Sequence, residues 1–342
     1  MQVVELVENG NLKLNQREKP ELKEGEYLIK IAAVGICNSD IYRGFAKGAY
    51  HYPLVMGHEI SGQIIEVGSS AKLYSVGTNV TIYPLIPCGE CLACQKKEWV
   101  HCQNYSYYGS RRDGGYQEYL AVKEWNVLPV LEGVDVVHAS LTEPVAVCSH
   151  AVNLINSKKG DKAVVVGAGL LGVMTALILK DSMNFDEVVV VDRNEFKLQI
   201  ARDLGLQAVL NSDVGKIGNQ FDIVIEACGA SETYTSTIGL ARSQATVVWM
   251  GNAQGSIEFT KSQISSILRK ELLIKGTWNS VYKGGVDDDW IAALKMIRNS
   301  KKIPQLISHQ ISLSELPSFL QQMFDIKSSH RPHDIIKGIV VF

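Results

Sequence analysis

The sequence predicts an α/β protein in two parts, a β-rich first half followed by a doubly wound parallel sheet. Up to about Pro144, short alternating segments such as Tyr27–Ile31 and Val80–Ile82 are separated by glycine and proline turns, which is how half-buried strands read. From Lys162 onward, solid apolar runs alternate with stretches of helical periodicity, as expected for strands buried on both faces. A chain of 342 residues is long enough to bury two separate cores.

Composition narrows the function classes. The 34 basic and 36 acidic side chains leave a net charge of −2, and no basic stripe offers itself to a nucleic-acid backbone. The longest apolar runs, such as Val188–Val191, are strand-sized and too short to span a membrane. Met1–Glu8 has no basic segment followed by an apolar run, so the expectation is a cytoplasmic protein without an export leader.

Within the first half, Cys88, Cys91, Cys94 and Cys102 read C-x2-C-x2-C-x7-C. Thiolates at such spacing close a tetrahedral metal site, which can hold together an irregular lobe (about residues 86–104) that has little core. Pairing as disulfides competes, but seven cysteines is an odd number and no leader points to an oxidising compartment. An iron–sulfur reading fails at the last cysteine, which lies too far on and is not followed by proline. Structural zinc is the expectation.

In the second half, strands are expected at Ala163–Val166, Val188–Val191, Ile223–Ile225, Thr246–Met250 and Leu272–Lys275. A helix carrying Leu170, Val173, Met174, Leu177 and Ile178 follows the first of them. Phe196, Ile200 and Leu204 mark the apolar face of the next helix, with Gly205 as its stop. A further helix is expected at Asp288–Arg298 and a closing strand at Gly338–Phe342. The first βα junction reads Gly167-Ala168-Gly169-Leu170-Leu171-Gly172. There Gly167 permits the tight turn, Gly169 lets the backbone approach a pyrophosphate, and Gly172 lets the helix lie close on the sheet. Asp192 ends the next strand about twenty residues further on, where a carboxylate accepts hydrogen bonds from ribose hydroxyls and repels a 2′-phosphate. NAD is therefore expected over NADP, with Arg193 beside Asp192 as the competing signal for a 2′-phosphate.

Cys37, Ser39, Asp40, Gly57-His58-Glu59 and Glu143-Pro144 each have an ordinary structural explanation taken singly. Together they offer one thiolate, one imidazole and one or two carboxylates. Three such ligands with an open position are the layout of catalytic zinc. An alcohol in that position loses its proton readily and can expel hydride toward a nicotinamide.

These motifs, in this order and over essentially the whole chain, resemble the zinc-dependent medium-chain dehydrogenase family and its sorbitol-dehydrogenase-like branch. The resemblance implies a GroES-like β-rich catalytic domain at 1–148, a Rossmann NAD-binding domain at 149–276, and a tail, 277–342, that returns to complete the first. It implies two zinc ions per chain. Cys88, Cys91, Cys94 and Cys102 would hold the structural ion. Cys37 and His58 would hold the catalytic one, with Glu59 or Glu143 as the remaining ligand and manganese or cobalt as possible substitutes. Asp40 would orient the ligand imidazole, and Ser39 would take the substrate proton. Tyr42 stands where related alcohol dehydrogenases continue a histidine relay, so proton exit would run through water or Glu143. A homodimer or homotetramer is also implied, with a substrate cleft at the domain junction.

Substrate choice turns on Gly109–Tyr116, which contains Ser110, Arg111 and Arg112, and on Ile267–Leu272 and Gly276-Thr277-Trp278. These stretches are similar to members of the branch that oxidise C5 of a hexitol 1-phosphate, galactitol 1-phosphate in particular. Paired arginines clamp a phosphate through planar, charge-assisted hydrogen bonds, and Trp278 would wall the cleft. A polyol or polyol phosphate is the expected substrate, with an unphosphorylated alditol or a pentitol phosphate as the alternative. From another class, a nucleotide-binding redox sensor or a structural protein would keep the fold without turnover.

Overall fold

The structure, a computed structural model, describes every residue except Lys159 and His330. It forms two compact units, residues 1–144 with 281–331 and 337–342, and residues 145–280 with 332–336. These divisions lie four residues from the boundaries read from sequence (148 against 144, 276 against 280). The short segment 332–336 differs more, since it belongs to the second unit rather than with the tail. The backbone carbonyl of His333 accepts from the Asn194 side chain at 3.1 Å, and a backbone contact of this kind leaves no mark in sequence.

In the second unit, six strands are all parallel, in the order Gln207–Leu210, Glu187–Asp192, Lys162–Val166, Phe221–Glu226, Ala241–Trp249, Leu273–Gly276. Numbered along the chain this is 3-2-1-4-5-6, the doubly wound Rossmann order, whose switch point lies at the carboxyl end of the first strand. Its core includes Val164, Val166, Val189, Val191, Phe221, Val224 and Val247. Sequence reading did not find Gln207–Leu210, which is short and only partly buried. The helix Glu195–Asp203 also turns out differently. Leu198 and Ala201 are its buried positions and Phe196 is 60% exposed, so the core face is rotated from the Phe196–Ile200 line. An i, i+4 pair of apolar residues fits either face until a partner surface chooses between them.

In the first unit the main sheet runs Val127–Pro129, Asn79–Ile82, Glu59–Val67, Glu26–Gly35, Lys337–Val341, Ile307–Ile311, with Tyr119–Lys123 also pairing with Glu26–Gly35. A separate three-stranded sheet is built from Gln2–Glu8, Asn11–Gln16 and Leu54–Val55. The tail returns because it carries aromatic anchors: Trp290 is fully buried, and Tyr282 stacks on Tyr83 with ring centroids 4.5 Å apart. Trp290 meets the same Tyr83 edge-on. Such ring pairs add to what area burial alone contributes. No helix among the described residues is long and apolar enough to cross a membrane.

Candidate functional site

Cys37 precedes the short helix Asn38–Tyr42, and His58 and Glu59 stand at the start of the strand Glu59–Val67. Strand pairing brings them together, because Gly35 lies opposite Glu59 and Ile339 opposite Gly35. Ligand atoms of Cys37, His58 and Glu59 all fall within 4.8 Å of one another. Gly35 makes room for this: a Cβ there would sit 1.9 Å from the Glu59 carboxylate oxygen. Glu59 is 1% exposed and its carboxylate pairs with the equally buried Lys337 ammonium, which also donates to the Ile36 carbonyl at 3.0 Å.

Behind His58 sits Asp40, fully buried, with one carboxylate oxygen 3.4 Å from His58 Nδ1. Its other oxygen accepts from the Cys37 amide at 3.1 Å and the Tyr116 hydroxyl at 2.9 Å. Burial alone would push the Asp40 carboxyl up, but His58, Arg43 and the Cys37 amide outweigh it and hold it below its ordinary value. Burial similarly pushes His58 down, while Asp40 and Cys37 overcome that and raise it well above the ordinary imidazole range. Negative charge that draws a proton to His58 draws a cation equally well, and one sulfur, one nitrogen and one carboxylate oxygen are the donor set zinc takes in open sites.

Glu143 lies in the first turn of the helix Thr142–Asn153, buried, and is not among the three clustered ligands. Burial, with Glu59 and Asp40 nearby, pushes its carboxyl up to about 7 against the opposing pull of His58 and Lys337. Ser39 is exposed on the first turn after Cys37.

In the lobe, the short strands Leu85–Ile86 and Ser106–Tyr107 pair and close the base. The sulfurs of Cys88 and Cys94 are 3.9 Å apart, those of Cys91 and Cys94 3.6 Å, and those of Cys91 and Cys102 3.8 Å. A zinc–sulfur bond of about 2.3 Å puts the corners of a tetrahedron about 3.8 Å apart, whereas a disulfide would need about 2.05 Å. Amides of Cys94 and Gln103 hold the Cys91 thiol down at about 6, and burial pushes Cys94 up to about 12. Both donor sets fit zinc.

At the first βα junction of the second unit, the helix Leu170–Leu177 begins at Gly169, whose lack of a side chain leaves first-turn amides free of a cap. A Cβ on Gly172 would come within 1.8 Å of the Gly167 carbonyl oxygen. Asp192 accepts from the Ala168 amide at 2.6 Å and the Asn194 amide at 2.8 Å, so it also braces the glycine loop. Arg193 is exposed.

The segment Gly109–Tyr116 has a structural role besides the one read from sequence. Its amides at Gly114, Gly115 and Tyr116 donate to Val55, Gly57 and Met56 at 2.7, 2.8 and 3.0 Å, clamping the turn that presents His58. Asp113 accepts from Arg17 and the Val55 amide at 2.8 and 2.9 Å. Arg111 lies over the rings of Tyr50 and Tyr105, and Arg112 over Tyr108. Ser110 is buried and Trp278 is 56% exposed.

Two family models match the chain, an alcohol dehydrogenase GroES-like domain over residues 23–132 and a zinc-binding dehydrogenase over residues 171–299. Galactitol 1-phosphate 5-dehydrogenase of Escherichia coli K12 is 29% identical over 339 residues, covering 96% of this chain and 97% of its own. The crystal structure of galactitol-1-phosphate dehydrogenase from Escherichia coli superposes with a TM-score of 0.89 at 28% identity, covering both chains fully. L-galactonate-5-dehydrogenase of Escherichia coli K12 is 30% identical over 340 residues, 96% of this chain and 95% of its own. The chain belongs to the zinc-type medium-chain dehydrogenase family. A solved member from Sinorhizobium meliloti 1021, described as a putative zinc-binding dehydrogenase bound to NADP, is 27% identical with a TM-score of 0.88 over 100% of this chain and 99% of its own.

As a member of this family the protein is an oxidoreductase made of a GroES-like domain and a Rossmann domain. Two residues of its sites escaped sequence reading. Lys337 opens an apolar strand, Lys337–Val341, and a lone cation in such a run was the available signal. Glu226 ends the buried strand Phe221–Glu226 and accepts from the amides of Cys228, Gly229 and Gly251 at 2.9, 2.7 and 3.2 Å. It thereby shapes another loop at the carboxyl edge of the parallel sheet.

Proposed function

We propose that the protein oxidises a secondary hydroxyl of a polyol or polyol phosphate to the corresponding ketose, with NAD as acceptor and two zinc ions per chain, as a homodimer or homotetramer. The observation that carries this reading is the gathering of Cys37, His58 and Glu59 in front of a buried Asp40 that faces the His58 ring and accepts from the Cys37 amide and the Tyr116 hydroxyl. When bound, zinc would supply the Lewis acidity that makes a hydroxyl acidic, and the nicotinamide would supply the hydride acceptor. Cys37, His58 and Glu59 hold the catalytic ion, with Glu143 as the second carboxylate within electrostatic reach. Asp40 fixes the ring orientation of His58. Ser39, exposed beside Cys37, receives the hydroxyl proton. Cys88, Cys91, Cys94 and Cys102 hold the structural ion.

Gly167, Gly169, Leu170, Leu171 and Gly172 cradle the pyrophosphate, and Asp192 sets the preference for NAD, with Arg193 beside it. The 5-dehydrogenase relatives are described as acting on galactitol 1-phosphate and L-galactonate, both open-chain polyols with an anionic end. Arg111 or Arg112, beside Ser110, is accordingly the candidate contact for a substrate phosphate, with Trp278 as a lining residue. Replacing either arginine by alanine should raise KM for a polyol phosphate by about tenfold, roughly 1.4 kcal/mol. The deciding experiment is a panel of alditols, alditol phosphates and hexonates assayed by NADH absorbance, with zinc counted and chelator added, and repeated with NADP. Turnover that survives removal of all zinc, or a clear NADP preference, would refute the corresponding part of this reading.

A further inference from the structure

Arg43 follows the helix Asn38–Tyr42 directly, its amide bonded to the carbonyls of Asp40 and Ser39. Its side chain therefore leaves the backbone about one and two-thirds turns beyond Cys37. The Arg43 Nε is buried without a hydrogen-bond partner, and a buried charged donor left unpaired calls for a reason. Asp40 is close enough to feel the Arg43 charge, but its Oδ2 accepts from Cys37 and Tyr116. Its Oδ1, 3.4 Å from His58 Nδ1, does not hydrogen-bond Arg43 Nε, since both atoms are buried without a hydrogen-bond partner.

Arg111, by hydrogen bond and charge, and Arg43, by charge, both lower the Tyr50 phenol against the opposing effect of burial. Arg111 lies 4.9 Å from the Tyr50 ring centroid and 3.9 Å from that of Tyr105. Tyr105 leads to Tyr107 (6.1 Å between centroids), and Tyr107 meets His58 edge-on at 5.8 Å. Arg111 thus lies over Tyr50, 68% exposed, at the end of an aromatic path that starts on the His58 imidazole, with the Arg43 guanidinium acting on the same tyrosine.

We propose that Arg43 and Arg111, together with the Tyr50 hydroxyl, form the subsite for the terminal oxyanion, phosphate or carboxylate, of an open-chain polyol whose reacting hydroxyl sits by Cys37 and His58. The inference rests on the polyol reading above and adds Arg43 as its specificity residue. Planar guanidinium forks suit both anions, and although Arg111 already donates to the Tyr105 carbonyl at 2.5 Å, a neutral alditol would bring no counter-charge to either cation.

The test uses the full-length zinc-loaded protein with R43Q, R43K and R111Q. For each, kcat/KM is compared on a hexitol 1-phosphate, a hexonate and the parent hexitol, and inorganic phosphate is titrated by calorimetry. R43Q should lower the ratio of kcat/KM for charged over uncharged substrate by about tenfold or more, weaken phosphate binding to a similar degree, and be partly rescued in R43K. The two anionic substrates separate a phosphate subsite from a carboxylate one.

Equal losses on charged and uncharged substrates would mean that Arg43 only supports the fold, and would overturn the inference. So would a wild type that binds neither anion. If the wild type oxidises polyol phosphates and R43Q keeps the ratio, the subsite fails while the proposed function stands. If R43Q loses phosphate binding in a protein that oxidises no polyol, the subsite stands and the proposed function fails. Should R43Q not fold, R43K and R111Q give the same comparison.

Discussion

Cys88, Cys91, Cys94 and Cys102 come from fifteen consecutive residues, and their sulfurs already stand at the corners a metal would need. The group at Cys37, His58 and Glu59 is assembled across strands and secured by Lys337, 278 residues beyond Glu59. One donor set is sulfur throughout and closed. The other mixes sulfur, nitrogen and oxygen around buried charges that are paired on the protein side, Asp40 with His58 and Glu59 with Lys337. A closed set holds a lobe together, whereas an incomplete set braced from behind keeps a position free for a substrate.

Four experiments would break or sharpen that contrast. The largest effect is expected at Cys94. C94S should lose one zinc equivalent together with the folded state of the lobe, seen as a large fall in Tm, because lobe folding and metal binding are one process. Retention of both metal and Tm would remove the structural role. H58A should lose the other zinc equivalent and about a thousandfold in kcat/KM, with Tm little changed by comparison. A fall in Tm as large as that of C94S would erase the distinction between the two sites.

K337M comes next, because it strands the Glu59 carboxylate, 1% exposed, without its partner. A loss of about 3–5 kcal/mol in denaturant unfolding is expected for a broken buried pair, and K337R should recover part of it. An unchanged unfolding midpoint would show that Glu59 does not depend on Lys337.

The smallest effect concerns pH. The Glu143 carboxyl is raised from 4.5 to about 7 in the fold, so between those values the native state binds more protons than the unfolded chain, and stability falls as pH rises. In zinc-stripped protein, E143Q should therefore match wild type near pH 4 and gain on it progressively up to pH 8, by at most about 3 kcal/mol. A gap independent of pH would mean that Glu143 is not held as a buried acid.

What could be read from sequence follows the same division. Local spacing marked the cysteine lobe, the glycine loop and most parallel strands, because each is specified by neighbours within a few residues. It failed where partners are distant or signals short. The face of Glu195–Asp203 was set by the surface it packs on, the strand Gln207–Leu210 by its edge position, and segment 332–336 by a backbone hydrogen bond to Asn194. The Gly109–Tyr116 loop was read only for its arginines, although its amides support the His58 turn.

The sequence by itself determined the two-part α/β plan, the closed thiolate set and the nucleotide loop, since periodicity and spacing are properties of short stretches of chain. Only the tertiary structure decided that Glu59 rather than Glu143 clusters with Cys37 and His58, that Lys337 neutralises that carboxylate, and that Arg43 is left with a buried, unpartnered donor. Those outcomes depend on strand register and desolvation, and both exist only once segments hundreds of residues apart have come together.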